Sequence, residues 1–391
     1  MPSPLFDART EELLNQLRDS GQFKKFYELE GPLGATAQIR GVGEVVVLCS
    51  NNYLGLADHP DVVQAGIEGL REYGAGTASV RFICGTLVCH RELETAIAQL
   101  VGTPAALSYV SCWTANEAVF PTFTAPGDAI FSDELNHASI IDACRLTHKE
   151  VQRAVYRHND LEDLESKLKA STATGTRWVV TDGVFSMEGD LCPLGDLADL
   201  CRRYEATLVV DDSHGIGVVG RTGRGTPEHF DRLGQIDVIT GTLGKALGGA
   251  AGGYVAASER AIELLEQRAR TSLFSNALPA TVAYSARKAI EILLAEPERV
   301  AKLRENVTRI RTGFASLGYE VHDSPTAIIP VMIGDEAEAL RKSARLMELG
   351  VMAIGFAFPV VPRGKARIRV QVSAALQDAH IEKVLDAFAK L

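Results

Sequence analysis

Lys245 ends the run Val238-Ile-Thr-Gly-Thr-Leu-Gly-Lys245 and precedes Ala246-Leu-Gly-Gly-Ala-Ala-Gly-Gly-Tyr254, so one lysine sits between a short β-branched strand and a glycine-rich turn. A strand-end amine in that setting is partly desolvated, which lowers its pKa and suits it to Schiff-base formation. A lysine that merely caps a loop is the competing reading of this segment alone. Thr242, three residues earlier, offers a hydroxyl to a phosphate. A second apolar run, Thr207-Leu-Val-Val-Asp-Asp-Ser-His214, delivers Asp211 and His214 at its C-terminal end, where open α/β sheets carry their sites.

A lysine that holds an aldehyde carbon and an aspartate that pairs with a pyridinium nitrogen are what pyridoxal 5'-phosphate requires of a protein. Further strand ends add compatible groups. Tyr109-Val-Ser-Cys-Trp-Thr-Ala-Asn116 reads as a strand opening into a helix, where backbone N–H groups and the Ser111 hydroxyl can cup a phosphate and Trp113 adds an aromatic face. An ordinary serine cap and a core tryptophan are the plainer alternative. His137, in Asp133-Glu-Leu-Asn-His137, can stack on a planar cofactor and bond a reacting carbonyl. Ser186, on the loop after Thr181-Asp-Gly-Val-Phe, can reach a ring hydroxyl or simply cap a turn. In Pro362-Arg-Gly-Lys-Ala-Arg-Ile-Arg369, strand alternation puts Arg367 and Arg369 on one face, and a half-buried guanidinium suits bidentate capture of a carboxylate, with Arg369 preferred.

The elements that must position these residues follow from the apolar pattern. Short apolar runs at 105–110, 128–132, 177–182, 207–211, 238–242 and 252–257 alternate with helical patterns, which predicts an α/β fold with a mostly parallel sheet. An amphipathic helix over residues 4–20, with Leu5, Leu13, Leu14 and Leu17 on one side, is expected to pack as an N-terminal arm. A helical stretch near 281–316 leads to a smaller α+β unit with strands near 327–333, 351–357 and 366–372 and helices near 335–349 and 376–390. The expected division is an arm at 1–50, a large cofactor-binding domain at 51–285 and a small C-terminal domain at 286–391.

At 391 residues and 46% hydrophobic, the chain is long enough for such a core. A net charge of -10 argues against nucleic acid or an anionic membrane as partner. No apolar run is long enough to span a bilayer and no signal pattern opens the chain, so a cytoplasmic protein is expected. The seven cysteines are scattered without a C-x-x-C pair, which predicts reduced thiols and neither a disulfide frame nor a metal site.

The spacing of Asp211, His214 and Lys245 resembles that of fold-type I pyridoxal-phosphate transferases. Asn51-Asn-Tyr-Leu-Gly-Leu56, Asn136-His-Ala-Ser139, Asp182-Gly-Val-Phe-Ser-Met187, Asp211-Asp-Ser-His214 and Val361-Pro-x-Gly-x-Ala-Arg367 together are similar to signatures of the α-oxoamine synthases, which condense an amino acid with an acyl-CoA. Ala78-Ser-Val-Arg-Phe-Ile-Cys-Gly-Thr86, Ser111-Cys-Trp113 and the turn around Lys245 look most like the members that use glycine and acetyl-CoA. Trp113-Thr114 stands where that pattern has Phe-Asp.

The resemblance implies that Lys245 carries the cofactor as an internal aldimine, with Asp211 under the pyridine nitrogen and His137 on the ring face. It further implies His214 and Ser186 at the ring oxygen, and Cys112, Trp113 and Thr242 around the phosphate or ring. Asn52 and Arg369, with His137, would meet the substrate. Ser275 and Asn276 would reach the neighbouring subunit's cofactor in a homodimer. A longer acyl-CoA with alanine, such as pimeloyl-CoA, and an aminotransferase are the alternatives open at this point.

Overall fold

The computed structural model describes residues 3–20, 22–358 and 360–391. Its centre is a seven-stranded sheet whose spatial order is Ala105–Tyr109, Gly253–Ala257, Val238–Thr242, Ala206–Asp211, Arg177–Asp182, Ala129–Asp133 and Gln152–Tyr156. All neighbours pair in parallel except Gly253–Ala257, which runs antiparallel to both of its partners. These strands are apolar almost throughout because helices cover both faces. The parallel strands therefore share one C-terminal edge, where Tyr109, Asp133, Asp182, Asp211 and Thr242 all arrive.

Close packing at this edge depends on missing side chains. A Cβ on Gly253 would lie 2.4 Å from the backbone of Cys112, so only glycine lets the antiparallel strand pass the start of helix Cys112–Phe123. Helices Pro60–Tyr73 and Ala280–Ala295 approach equally tightly, since a Cβ on Gly69 would stand 2.8 Å from the Ala280 carbonyl oxygen.

A second, antiparallel sheet orders Ile328–Gly334, Ala366–Gln371 and Ile354–Phe356. Helices Glu298–Ser316, Glu336–Glu348 and Asp378–Phe388 belong to this region. The expected single helical stretch from 281 is two helices, because the break falls at Glu296-Pro297 and proline has no N–H to continue the ladder. The strand expected over 351–357 is likewise split around Ala353. Residues Thr36–Ile39 and Gly43–Val47, expected within the arm, form a small sheet with Val351–Met352. One apolar core runs from Val46 and Leu48 through the central sheet to Val384 and Phe388.

The N-terminal helix forms at Pro4–Asp19 as its pattern predicts, but it does not pack as an arm within the chain. None of its residues is buried, and Leu5 is 84% exposed. Amphipathicity specifies that a helix wants a partner and not where that partner is. Among the described residues no helix is long and apolar enough to cross a membrane.

Candidate active site

At the C-terminal edge of the central sheet is a cavity of about 230 Å³, lined by Cys112, Trp113, His137, Ser139, Asp182, Ser186, Asp211, Ser213, His214, Thr242 and Lys245. Lys245 reaches it from the turn after Val238–Thr242, a turn held by the Thr242 hydroxyl, which accepts the Gly244 N–H at 3.1 Å and donates to the Gly252 carbonyl at 3.3 Å. Burial lowers the Lys245 pKa against the opposing pull of Asp211, Cys112 and Asp182. No carboxylate stands within 4.0 Å of its amine among the described residues, so the cation is poorly compensated.

Asp211 is buried at the end of Ala206–Asp211 and aimed by fixed donors. Its Oδ1 accepts the Ser213 N–H at 3.0 Å, and its Oδ2 accepts Asn116 Nδ2 at 2.7 Å with the Cys112 thiol 3.7 Å away. Asn116 also donates to the Ser139 hydroxyl at 2.8 Å, tying helix Cys112–Phe123 to helix Ala138–Arg145. Ser139 in turn orients His137: its N–H donates to His137 Nδ1 at 3.2 Å, and its hydroxyl lies 2.8 Å from the same nitrogen. The backbone N–H of His137 donates to Asp182 Oδ2 at 2.8 Å. Burial, and secondarily Lys245, lowers the His137 pKa against the opposing pull of Asp211. The Trp113 ring meets the imidazole edge to face at 6.0 Å and anchors its indole N–H on Glu117.

Asp182, to which the motif reading assigned no role, pairs in register with Asp211 across adjacent strands. Burial, then the neighbouring Asp211 charge, pushes its pKa well above the usual carboxylate range. Asn116, Ser139 and Ser213 were also missed as orienting groups. The visible signal for Asp182 was a strand ending on an acid beside another strand that does the same.

Arg369 lies on strand Ala366–Gln371, where Nη1 donates to the Ser186 carbonyl at 2.9 Å and Nη2 to Gln371 Oε1 at 3.1 Å. Its guanidinium sits 4.7 Å over the Phe356 ring, and its buried Nε has no protein partner. Arg367, on the same face, is spent on the Met187 carbonyl and Glu188. Alternation thus delivered both arginines to the Ser186 loop and left Arg369 with a buried donor, Nε, that has no partner among the described residues.

Five expected residues do not line this cavity: Arg369, Asn52 and Ser111, and Ser275 and Asn276, which were expected at the neighbouring subunit's cofactor. Asn52 is buried, with Nδ2 donating to the Leu33 carbonyl and Oδ1 accepting the Ala57 N–H, so its side chain stabilises its own loop. The Ser111 hydroxyl accepts the Thr114 N–H at 3.1 Å as a helix cap and is not in the cavity wall. Ser275 and Asn276 follow helix Arg270–Leu273 and lie outside this chain's own cavity.

The cavity suits pyridoxal phosphate: an amine for the aldehyde, a carboxylate with fixed orientation, an imidazole at one wall, and, for an anion, the Cys112 and Trp113 N–H groups that open helix Cys112–Phe123, ahead of the Thr114 N–H that Ser111 caps. Residues 43–388 match the family model for class I and II aminotransferases. An 8-amino-7-oxononanoate synthase of Symbiobacterium thermophilum is 45% identical, covering 99% of this chain and 98% of that protein. The mitochondrial 2-amino-3-ketobutyrate coenzyme A ligase of Homo sapiens is 43% identical, covering 97% of this chain and 90% of that protein. A solved serine palmitoyltransferase with its pyridoxal-phosphate internal aldimine superposes with a TM-score of 0.92 at 30% identity, covering 98% of this chain and 96% of that one.

Proposed function

The chain belongs to the α-oxoamine synthase family of fold-type I pyridoxal-phosphate enzymes, and from that premise we propose that it condenses glycine with acetyl-CoA to 2-amino-3-oxobutyrate and CoA. What carries this reading is the convergence of a partly desolvated Lys245 and a rigidly aimed Asp211 on one cavity. When bound, pyridoxal phosphate supplies the electron sink for the pair left at the glycine Cα.

The chain's own groups do the rest. Lys245 Nζ would hold the cofactor and would take the glycine Cα proton, a task for which a lowered pKa suits it. Asp211, held by Asn116 and Ser213, keeps the pyridine nitrogen protonated. Because the Ser139 N–H donates to His137 Nδ1, the His137 proton sits on Nε2, where it can stabilise the oxyanion that forms at the thioester carbonyl as CoA leaves. Arg369 receives the amino-acid carboxylate. Run backwards, the same groups split a threonine-derived oxoacid into glycine and acetyl-CoA, a catabolic role in the cytoplasm.

The working unit in this reading is a homodimer in which Ser275 and Asn276 reach the neighbouring subunit's cofactor. Phe274 beside them is 72% exposed, and Asn276 pairs with Val80 next to the exposed Phe82 and Ile83, an apolar surface that a second copy would cover.

A second reading, a longer acyl-CoA condensed with alanine, draws on the 45% identity to the Symbiobacterium protein. CoA release measured for acetyl-CoA with glycine, pimeloyl-CoA with alanine and palmitoyl-CoA with serine separates the two. Acetyl-CoA with glycine is expected to lead in kcat/KM, and a lead of about tenfold for a longer acyl-CoA would overturn that choice. Steady transamination of a 2-oxoacid without CoA would instead identify an aminotransferase.

A further inference from the structure

His214 is reached from the far side of the cavity by a chain of hydrogen bonds that begins on the second sheet. Arg369 Nη2 lies 3.1 Å from Gln371 Oε1, Gln371 Nε2 lies 2.5 Å from Asn51 Oδ1 and 2.9 Å from the Tyr53 hydroxyl, and that hydroxyl lies 2.8 Å from His214 Nδ1. Gln371 and Tyr53 are each 1% exposed, so water does not compete for these contacts.

The direction of every bond follows from counting protons. A guanidinium has donors only, so Gln371 must present Oε1 to Arg369; turning the amide round would set N–H against N–H. Both Nε2 hydrogens are then given away, one to Asn51 and one to the Tyr53 oxygen. The Tyr53 oxygen, already accepting, has a single hydrogen, and the group opposite it is His214 Nδ1. That hydrogen has no other acceptor in reach among the described residues, so Tyr53 donates and Nδ1 is the bare nitrogen. Burial, followed by the Lys245 and Arg369 charges, pushes the His214 pKa well below its ordinary value, and burial raises that of Tyr53 to about 12, so each keeps the single proton the chain requires.

We propose that Gln371 and Tyr53 are positioning residues that lock His214 as its Nε2-protonated tautomer, presenting an N–H donor to an anionic oxygen of the ligand in the cavity. The same guanidinium that is read as the carboxylate receptor thus sets the proton on His214. The identity of that anionic oxygen rests on the pyridoxal-phosphate reading; the tautomer does not.

The test is nitrogen NMR on ¹⁵N-histidine-labelled holoenzyme, with the His214 signals assigned by their loss in His214→Asn. The expected pattern is a protonated Nε2 and a bare Nδ1. Gln371→Glu replaces both amide donors by acceptors, so the Tyr53 hydroxyl should turn to the new carboxylate and the His214 proton should move to Nδ1. Tyr53→Phe, which removes one oxygen only, keeps the test alive if the first variant does not fold, and should give a mixture of tautomers. In either variant pyridoxal phosphate should bind roughly fivefold to tenfold more weakly, the loss of one hydrogen bond. A protonated Nδ1 in the unaltered protein, or an unchanged tautomer in both variants, would overturn the proposal. An unaltered protein that takes up no pyridoxal phosphate would instead overturn the proposed function, while the tautomer is still read in the same sample.

Discussion

Two histidine neighbourhoods lie on the same edge of the central sheet and end in opposite charge states. His137 and His214 line the cavity, where their ring nitrogens meet hydroxyls of Ser139 and Tyr53 and burial lowers both pKa values. His158 bridges two carboxylates, Asp133 Oδ1 at 3.1 Å and Asp190 Oδ2 at 2.9 Å. Burial works against its charge here too, but the bonds to Asp133 and Asp190 outweigh it and push its pKa up to about 10. The residue type and the burial are shared; the difference is whether a carboxylate is within bonding reach. The cavity keeps its imidazoles neutral for directional donation. The His158 clamp uses a permanent cation to tie the end of strand Ala129–Asp133 to the loop that carries Ser186.

The largest effect that would break this contrast is at Lys245. Lys245→Ala should lower CoA release by about ten-thousandfold, and borohydride should fix the cofactor to Lys245 in the unaltered protein. Trapping at another lysine would remove the cavity's chemical assignment. The same substitution should change unfolding free energy by less than about 1 kcal/mol, because the amine has no ion-pair partner to abandon.

Asp211→Asn should retain cofactor yet lose turnover by about a hundredfold to a thousandfold, since an amide cannot hold a protonated pyridine. Near-normal turnover would remove the reason for aiming the carboxylate so firmly.

The clamp should respond in the opposite currency. His158→Gln should cost about 3 kcal/mol of stability in denaturant unfolding, because it leaves Asp133 buried beside a neutral group, while kcat changes by less than Asp211→Asn changes it. A cation whose folded pKa is raised adds stability in full below its unfolded value near 6.5. That contribution is then lost as pH rises through about 10. The unaltered protein should therefore lose stability relative to His158→Gln across that window, and parallel pH curves for the two would sink the clamp.

The smallest effect concerns Trp113, whose indole edge meets His137 without entering the proton chemistry. Trp113→Phe should shift the acetyl-to-longer-acyl ratio of kcat/KM by about tenfold or less, the value of a modest change in pocket volume. A larger shift would make that ring a main determinant of acyl length.

Most of the reactive side chains were legible because each follows a β-branched run and precedes small or polar residues, a pattern that the pleat and the strand-end rule convert directly into a shared edge. Lys245, Asp211, His137, His214, Ser186, Cys112, Trp113 and Thr242 all line the one cavity on that account. Asn52 was legible as a signature residue, but the bonds by which its amide holds its own loop were not. The face of the N-terminal helix was legible as apolar, yet none of its residues is buried by the described residues.

The sequence by itself therefore determined which groups come to the C-terminal edge of the sheet, since periodicity and strand ends are local properties. Only the tertiary structure decided their protonation and direction. The Asp182 pKa is raised because the fold buries it and sets it beside Asp211, and Asn116 aims Asp211 from 95 residues away. The His214 proton depends on Gln371, which bonds Tyr53 across 318 residues of chain. Charge and hydrogen-bond polarity are set by whatever lies within a few ångströms, and at such separations along the chain that neighbour exists only once the strands and helices have assembled.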